Sequence, residues 1–360
     1  MTAPSRVVLP GPALDRPVLA DPTTALLFGL RRDPRSVALR AFGNAAVLAV
    51  FAVADLLVLS DDASGFFVLL VALTALLTIT GVQWLKIGKR LRTSRDLLES
   101  APWRQARVVT LRGAKAYSVV EATEYDPDGR VGTTSLFQVF SLSSAHRGVL
   151  AREDQAWVVG PDQSGAAALR VAGSHEAWPA VPADKRPTAV RVPAADRAEP
   201  THRWATLLRQ RVLVLAMPVV VVLVLGAFFL GTVSDPDLLL VELVVSLAIA
   251  IAAAAPLWRK RYLLAEWRLP SLIKAGPWTQ VRALAAPATA RPDGTVAVTL
   301  TLWLPDGSVR TASLAAGTVD LLGAVAETGA LWVAGAPVPG EVVAVGFPGY
   351  PMLAVAKISA

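Results

Sequence analysis

The sequence predicts a membrane α-helical protein that also carries small cytoplasmic β domains, and three observations support this class. Hydrophobic residues make up 54% of the 360-residue chain and charged residues 18%, against about a quarter charged in an ordinary soluble domain. Apolar windows of about twenty residues occur in two pairs, and each pair is followed by segments with strand-like patterns. We therefore expect four transmembrane helices in two hairpins, each hairpin followed by an SH3-like or OB-like β-barrel.

The four apolar windows cover residues 41–59, 65–85, 212–231 and 238–257. At about 1.5 Å of rise per residue, a helix of about twenty residues crosses a hydrocarbon core of about 30 Å. A buried helix of a soluble protein rarely stays apolar on every face over this length. The windows are therefore interpreted as membrane spans.

Charges beside the spans predict their orientation. The loops at residues 60–64 and 232–237 contain Asp but neither Lys nor Arg, whereas the other flank of every span is basic. Basic flanks stay on the cytoplasmic side. The chain is therefore expected in the cell (cytoplasmic) membrane as a multi-pass protein with both termini cytoplasmic. Trp84, Trp204 and Trp258 fall at the inner boundary, where interfacial anchors are expected.

An internal repeat accounts for the pairing of the windows. A Pro-Trp-x-Gln-x-Arg motif begins at Pro102 and again at Pro277, and Trp157 and Gly165 recur at the same offset as Trp332 and Gly340. A Pro-Asp-Gly turn at residues 127–129 recurs at 305–307, shifted by three as a small insertion would cause. Matches at one offset, about 175 residues, predict a tandem parallel repeat whose pseudo-axis lies along the membrane normal.

The β domains follow each hairpin. In the second copy, apolar and small polar residues alternate over residues 295–303, a turn follows, and residues 308–314 return as a partner strand. Further short strands are predicted at 331–334, 341–347 and 352–356, and in the first copy at 107–111, 117–125, 130–142, 156–159 and 166–171.

The predicted domains are a cytoplasmic N-terminal tail (1–40), hairpin 1 (41–85), helix plus β domain 1 (86–180), a linker and pre-membrane segment (181–211), hairpin 2 (212–257) and helix plus β domain 2 (258–360).

Two carboxylates, Asp55 and Glu242, fall inside predicted spans. Because an intramembrane acid is costly, the pair is a candidate for binding a cation or relaying a proton. Alternatively each side chain reaches the nearby outer surface, about 7–9 Å away along the helix.

The repeated motif supplies six further candidates, which either form a partner surface or pack each barrel against its preceding helix. They are Trp103, Gln105, Arg107, Trp278, Gln280 and Arg282.

Known catalytic and metal-binding patterns are missing from the sequence. The chain has no Cys, its three His are scattered, and it contains no P-loop, G-x-S-x-G or G-x-G-x-x-G. We therefore expect no cofactor, no metal site and no enzymatic activity. The basic clusters could bind acidic lipid headgroups or nucleic acid. Since the positive-inside rule already explains them, nucleic acid is not expected as a partner.

Composition adds a resemblance. Arg outnumbers Lys by 28 to 7, and Ala, Val, Gly and Pro are abundant, as in bacteria of high GC content. With its four predicted spans and repeated motif, the chain resembles uncharacterised actinobacterial multi-pass integral membrane proteins. This resemblance implies no activity and no site residue.

Two functional hypotheses follow. The first is a non-enzymatic scaffold in which the bilayer anchors two β domains, which bind a protein partner or a second copy at the cytoplasmic face. The second is an oligomeric transporter or channel subunit that uses Asp55 and Glu242.

Overall fold

Two closed β-barrels dominate the structure, which is a computed structural model describing residues 7–31, 35–58, 65–114, 117–125, 130–189, 193, 199–230, 247, 250–251 and 254–360. Each barrel has six strands and all neighbouring strands are antiparallel. The prediction of two β domains in a tandem repeat is therefore confirmed.

The helices whose bounds are defined, in chain order, are α1 (Pro22–Arg31), α2 (Arg35–Val58), α3 (Gly65–Thr93), α4 (Arg95–Ser100), α5 (Ser144–Glu153), α6 (Pro200–Leu230), α7 (Leu269–Leu272) and α8 (Val319–Thr328). Residues 254–259 are also helical. Short 3₁₀ segments occur at Val18–Ala20 and Arg261–Arg268. The strands of barrel 1 are β1 (Arg104–Gly113), β2 (Tyr117–Tyr125), β3 (Val131–Phe140), β4 (Gln155–Val159), β5 (Ala167–Val171) and β6 (Trp178–Pro182). Those of barrel 2 are β7 (Trp278–Ala285), β8 (Thr295–Trp303), β9 (Val309–Thr318), β10 (Ala330–Ala334), β11 (Val342–Gly346) and β12 (Leu353–Ser359).

Both barrels have the same topology. The order around barrel 1 is β1-β2-β3-β6-β5-β4, and around barrel 2 it is β7-β8-β9-β12-β11-β10. Each barrel thus consists of two three-stranded meanders joined by a helix, α5 in barrel 1 and α8 in barrel 2. Because the last meander pairs with the first along both edges, no strand edge is left open among these described strands.

The barrel interiors are filled by apolar side chains. Along β8 the side chains of Val296, Val298, Leu300 and Leu302 are buried and alternate with more exposed neighbours, as the sequence pattern predicts. Buried residues of both barrels belong to one continuous hydrophobic cluster, in which Trp178 and Phe347 are among the largest fully buried side chains. Small barrels of this kind are packed cores rather than channels.

The repeat extends to details of the chain. Helices α5 and α8, strands β4 and β10, and strands β5 and β11 begin at the same offset as the repeated motif. Strands β8 and β9 begin three positions later, relative to β2 and β3, than this offset predicts. The reason is that the loop before β8 is longer than the loop before β2, while the connection before α8 is shorter than the one before α5. This explains the shift of the Pro-Asp-Gly turn, although residues 127–129 themselves lie outside the described residues.

Four elements inside the barrels escape the strand predictions. These are helices α5 and α8 and strands β6 and β7. Each helix is only ten residues long, too short for its periodicity to stand out. Local caps define them instead: Ser143 and Thr318 accept the N-terminal hydrogen bonds, and Asp154 and Gly329 end the helices in the left-handed conformation.

The N-terminal segment packs across both barrels. The Tyr350 hydroxyl of barrel 2 donates to the Val7 carbonyl at 3.1 Å. On barrel 1, Gly11 lies so close to the Trp157 ring that an added Cβ would come within 2.7 Å of it. Leu27 of α1 joins the continuous core. Residues 7–31 therefore form part of the same folded body as the barrels.

The predicted spans are helical where the structure describes them. Helices α2 and α3 pack together, and Gly81 in the second half of α3 lies against Phe42 in the first half of α2, as in an antiparallel hairpin. Within the described residues, one helical stretch, Val71–Ser100, is long and apolar enough to cross a membrane, and only 12% of its most apolar window is buried. Helix α6 covers most of the third window, while most of the fourth lies outside the described residues.

The barrels meet in a pseudo-twofold interface. His175 of barrel 1 contacts Glu327 on α8 of barrel 2, and Tyr350 of barrel 2 lies against Arg152 on α5 of barrel 1. At the offset of the repeat, His175 corresponds to Tyr350 and Arg152 corresponds to Glu327. In such an interface the same two positions meet twice, as in an isologous dimer. The duplicated halves therefore pack as two subunits of a dimer would, within one chain.

Gly173 tests this interface. Gly173 (φ +74°) and Gly307 (φ +81°) both have left-handed backbones, but only an added Cβ at Gly173 would collide with the Tyr350 ring of the other barrel. Both Gly173→Ala and Gly307→Ala incur a backbone cost of about 1–2 kcal/mol. We expect Gly173→Ala to lower the thermal unfolding midpoint of the purified protein by several degrees more than Gly307→Ala. Equal midpoints would contradict the packing of Tyr350 on Gly173.

Candidate functional site

A cluster of charged side chains lies in the interface between the barrels. It combines the C-terminal half of barrel 1, where Arg170 lies on β5 and His175 follows it, with Asp320 and Glu327 of α8. Asp21, just before α1, completes it. We call these five residues the interbarrel cluster. Three parts of the chain, far apart in sequence, are therefore held together by opposite charges.

His175 is the centre of the cluster, with only 3% of its side chain exposed. Its Nε2 is 3.0 Å from the Glu327 carboxylate, and its Nδ1 is 3.5 Å from Asp320. The backbone N–H of His175 also donates to Asp320 at 2.7 Å, and the Ser174 hydroxyl donates to the other oxygen of Asp320 at 3.0 Å. The imidazole is thus clamped between two carboxylates of the neighbouring barrel.

Asp21 ties the N-terminal segment to the same place. Its Oδ2 accepts hydrogen bonds from the Thr24 hydroxyl at 2.8 Å and from the buried Arg170 guanidinium at 3.2 Å. Thr24 also lies 2.8 Å from the carbonyl oxygen of His175. The start of α1 is therefore fixed by groups that themselves belong to the interface.

The environment keeps His175 protonated at neutral pH. Burial by itself lowers the pKa of His175, but the contacts of its ring nitrogens with Asp320 and Glu327, together with the charge of Asp320, outweigh burial and raise this pKa to about 9. Burial likewise acts to raise the pKa of Asp320, yet the contacts with His175 hold that pKa below its usual value. The pair is therefore ionised on both sides across the neutral range.

The cluster also brings together residue types that bind metals. Ligand atoms of Asp21, His175 and Glu327 all lie within 4.8 Å of one another. A metal would require neutral His175, and the Arg170 cation contacts the same Asp21 carboxylate. Since every one of these groups already has an oppositely charged partner, the arrangement fits an ion-pair network better than a metal centre.

A second polar cluster joins barrel 2 to α6. Asp293 accepts hydrogen bonds from the Tyr262 hydroxyl at 2.7 Å and from Arg211 of α6 at 3.2 Å. Glu266 is buried beside them, and burial raises its pKa to about 7, although Arg211 acts in the opposite direction. At the equivalent position of the first copy the buried residue is Leu91. This junction therefore gains a titratable group that the other copy lacks.

The repeated motif is divided between the inside and the outside of each barrel. Trp103 is 2% exposed and packs with Leu97 and Leu98 of α4, while Trp278 packs against Leu269 and Ile273 at the equivalent place. These contacts agree with the packing interpretation of the tryptophans.

The Gln and Arg residues of the motif, in contrast, are exposed. Gln105 and Arg107 lie on the outer face of β1, and Gln280 and Arg282 lie on the outer face of β7. Arg107 lies 3.5 Å from Asp154, and Arg282 lies over the Trp303 ring at 5.2 Å. These four side chains are therefore available for a partner.

The two carboxylates of the predicted spans fall outside what the structure describes. Asp55 belongs to α2, but its side chain lies outside the described residues, as does the whole of Glu242. The transport hypothesis therefore stays a prediction.

Sequence reasoning missed the interbarrel cluster. Asp320 and Glu327 are far from their partners in sequence, and no local spacing links them. Comparison of the two copies offers a signal, because the positions equivalent to Arg170 and Asp320 are the apolar Val345 and Ala145. A charged residue whose counterpart in the other copy is apolar indicates a contact that only one of the two copies makes.

Comparison with known proteins supplies no relative: the chain matches no family model, no curated protein and no solved structure.

His175 makes the interface sensitive to alkaline pH. Its raised pKa adds stability that is fully present below about pH 6.5 and is lost as the pH rises through about 9. We expect His175→Gln to lower the stability at pH 6.5 by at most about 3 kcal/mol. The difference from the unsubstituted protein should shrink as the pH rises past 9.

Thermal unfolding of the purified full-length protein between pH 6 and pH 10, followed by the near-ultraviolet circular dichroism of its tryptophans, measures this difference. His202→Gln is the matched control, because His202 is exposed. A difference between His175→Gln and the unsubstituted protein that stays constant through pH 9 would contradict the charged state of His175.

Proposed function

We propose that the protein is a non-enzymatic scaffold of the cytoplasmic membrane, in which four membrane spans anchor two barrels that act as a single rigid platform for a partner. The partner is a protein or a second copy of the chain. Both termini and both barrels lie on the cytoplasmic side. This function combines the sequence-based topology with the packing of the barrels.

The observation that carries the proposal is the fusion of the two barrels into one body. Their interiors form one continuous apolar core, and the contacts of the buried His175 with Asp320 and Glu327 cross the boundary between them. Breaking a buried ion pair by separating its partners costs several kcal/mol. Independent movement of the barrels, as a substrate-gated cleft would need, is therefore disfavoured, whereas a fixed surface suits a scaffold.

Membrane anchoring is supported by α3. Its exposed face carries Leu76, Ile79 and Val82, which a water-soluble protein would bury. Basic residues follow directly after this apolar stretch, as expected at a cytoplasmic boundary. The pseudo-twofold relation between the barrels supports entry of both hairpins from the same side, as in parallel-repeat membrane proteins.

Two equivalent surfaces are available for the partner. The pair Gln105 and Arg107 on barrel 1 corresponds to Gln280 and Arg282 on barrel 2. Arg is enriched at protein interfaces, and a cation lying over an aromatic ring, as Arg282 lies over Trp303, is a favoured arrangement there. Paired surfaces suit a partner that is itself twofold, or a second copy of this chain.

Cysteine labelling tests the topology. Because the chain contains no Cys, each introduced Cys is the single labelling site. We expect Ser60→Cys and Ser234→Cys to react with a membrane-impermeant maleimide in intact cells. Asp184→Cys and Lys274→Cys, at exposed cytoplasmic positions, should react only after lysis. Labelling of Lys274→Cys in intact cells, or of Ser60→Cys only after lysis, would refute the orientation.

The partner surface is tested by charge reversal. We expect Arg107→Glu with Arg282→Glu to shift the complexes extracted from native membranes toward the 37.9 kDa single chain on native electrophoresis. The only ion pair of Arg107 within the described residues is the exposed contact with Asp154, worth less than about 1 kcal/mol, so the fold should survive. Lys274→Glu with Lys357→Glu, also exposed, is the control. Complexes of unchanged size in the test variant would count against a scaffold acting through these residues.

A further inference from the structure

A basic cavity lies where α3 meets barrel 1. It has a volume of about 350 Å³ and is lined by the end of α3 on one side and by barrel 1 at Ser164, Gly165 and Val181 on the other. The cationic residues of its lining are Lys86, Lys89 and Arg90. The cavity is therefore concave, open and positively charged.

The cations have no carboxylate partner within the described part of the chain. Lys86 and Lys89 are exposed, and Arg90 is half-buried with its guanidinium 3.5 Å from the centre of the Phe140 ring. The acidic residue of the adjoining loop, Asp162, is occupied by hydrogen bonds from Ser164 and Ala166. Three positive charges thus surround one cavity without being neutralised by the residues described around it.

The hydroxyl groups of the lining are already used inside the protein. Thr93 and Ser94 donate to the carbonyl oxygens of Lys89 and Arg90, one turn earlier in the helix. A ligand in the cavity would therefore be held by the cations, through charge-assisted contacts to an anionic group.

The cavity continues an apolar stripe on α3. Residues Leu76, Ile79, Val82, Lys86 and Lys89 follow one another at intervals of three or four, which places them on one face of the helix. The first three are exposed apolar side chains, and the last two line the cavity. A ligand with an anionic head and an apolar tail would contact both parts of this face at once.

We propose that this cavity binds the phosphate of an anionic phospholipid of the cytoplasmic leaflet, whose acyl chains lie along Leu76, Ile79 and Val82. The proposal rests on the proposed membrane insertion of α3. Lysine and arginine at this depth attract anionic lipids, and the cavity turns that general attraction into a defined site. The lipid would connect the first hairpin to barrel 1.

The second copy provides an internal comparison. The residues equivalent to Lys89 and Arg90 are Leu264 and Ala265, and the segment that contains them is a 3₁₀ helix rather than a continuation of the span. Of the three cations that make the cavity basic, only Lys86 has a basic counterpart in the second copy, Arg261. One lipid per chain, rather than two, is therefore expected.

Native mass spectrometry of the full-length protein in a neutral detergent tests the site. The probes are dioctanoyl phosphatidylglycerol and, with the same chains, dioctanoyl phosphatidylcholine. We expect one phosphatidylglycerol to be retained in preference to phosphatidylcholine. Lys86→Gln with Lys89→Gln should weaken that retention about tenfold or more, whereas the matched control Lys274→Gln with Lys357→Gln should leave it unchanged. Arg90 is left intact because it packs on Phe140.

Two results would overturn the proposal. The first is equal retention of the two lipids, or equal retention of phosphatidylglycerol by both double variants. The second is displacement of phosphatidylglycerol by an equal concentration of inorganic phosphate, which would identify a site for free phosphate instead of lipid. If either result occurs while the cysteine labelling and the membrane complexes are as expected, the lipid site alone is refuted. If the labelling pattern itself fails, the proposed membrane topology is refuted.

Discussion

The contact of His175 with Asp320 and Glu327 is the constraint on which the arrangement of the two barrels depends. Three carboxylates meet two cations at this boundary, and both cations, Arg170 and His175, are buried. Burying such a cation is tolerable only when it finds an oppositely charged partner. These pairings therefore favour the relative position of the barrels that the structure shows. Since Asp21 belongs to the same cluster, that position also fixes α1, which leads directly to the first predicted span.

Duplication explains the symmetry of the paired barrels, and divergence explains where the symmetry stops. One half of the pseudo-twofold interface pairs His175 with Glu327, and the other half pairs Tyr350 with Arg152. The same positions thus meet through an ionic contact on one side and a cation–π contact on the other.

The segments that precede the barrels differ in the same way. The first copy has Lys89 and Arg90 where the second has Leu264 and Ala265. The second copy instead buries Glu266 where the first has Leu91. The two junctions therefore differ in charge, although the barrels that follow them share one topology.

Particular elements show why parts of the fold were predictable. From Val296 onward strand β8 alternates between buried and more exposed residues because one of its faces lines a barrel, and the sequence alone located the strand to the residue. The offset of the repeat was likewise readable, since Trp103 and Trp278 must fill the same packing position in each copy. In contrast, α5 and α8 are short helices specified by their caps and by the barrel that they cross. Their formation depends on tertiary contacts, so a local pattern could not reveal them.

The sequence by itself determined the duplication, the β character of both domains, and the apolar and basic segments that predict membrane spans and their orientation. Each of these features is evident from local periodicity, from composition, or from a match between two segments of the sequence. Only the tertiary structure decided the closure and strand order of the barrels, the interbarrel cluster and the basic cavity beside α3. The physical reason is that strand pairing, ion pairing and cavities arise between residues that are far apart along the chain, and no local pattern encodes which distant partners will meet.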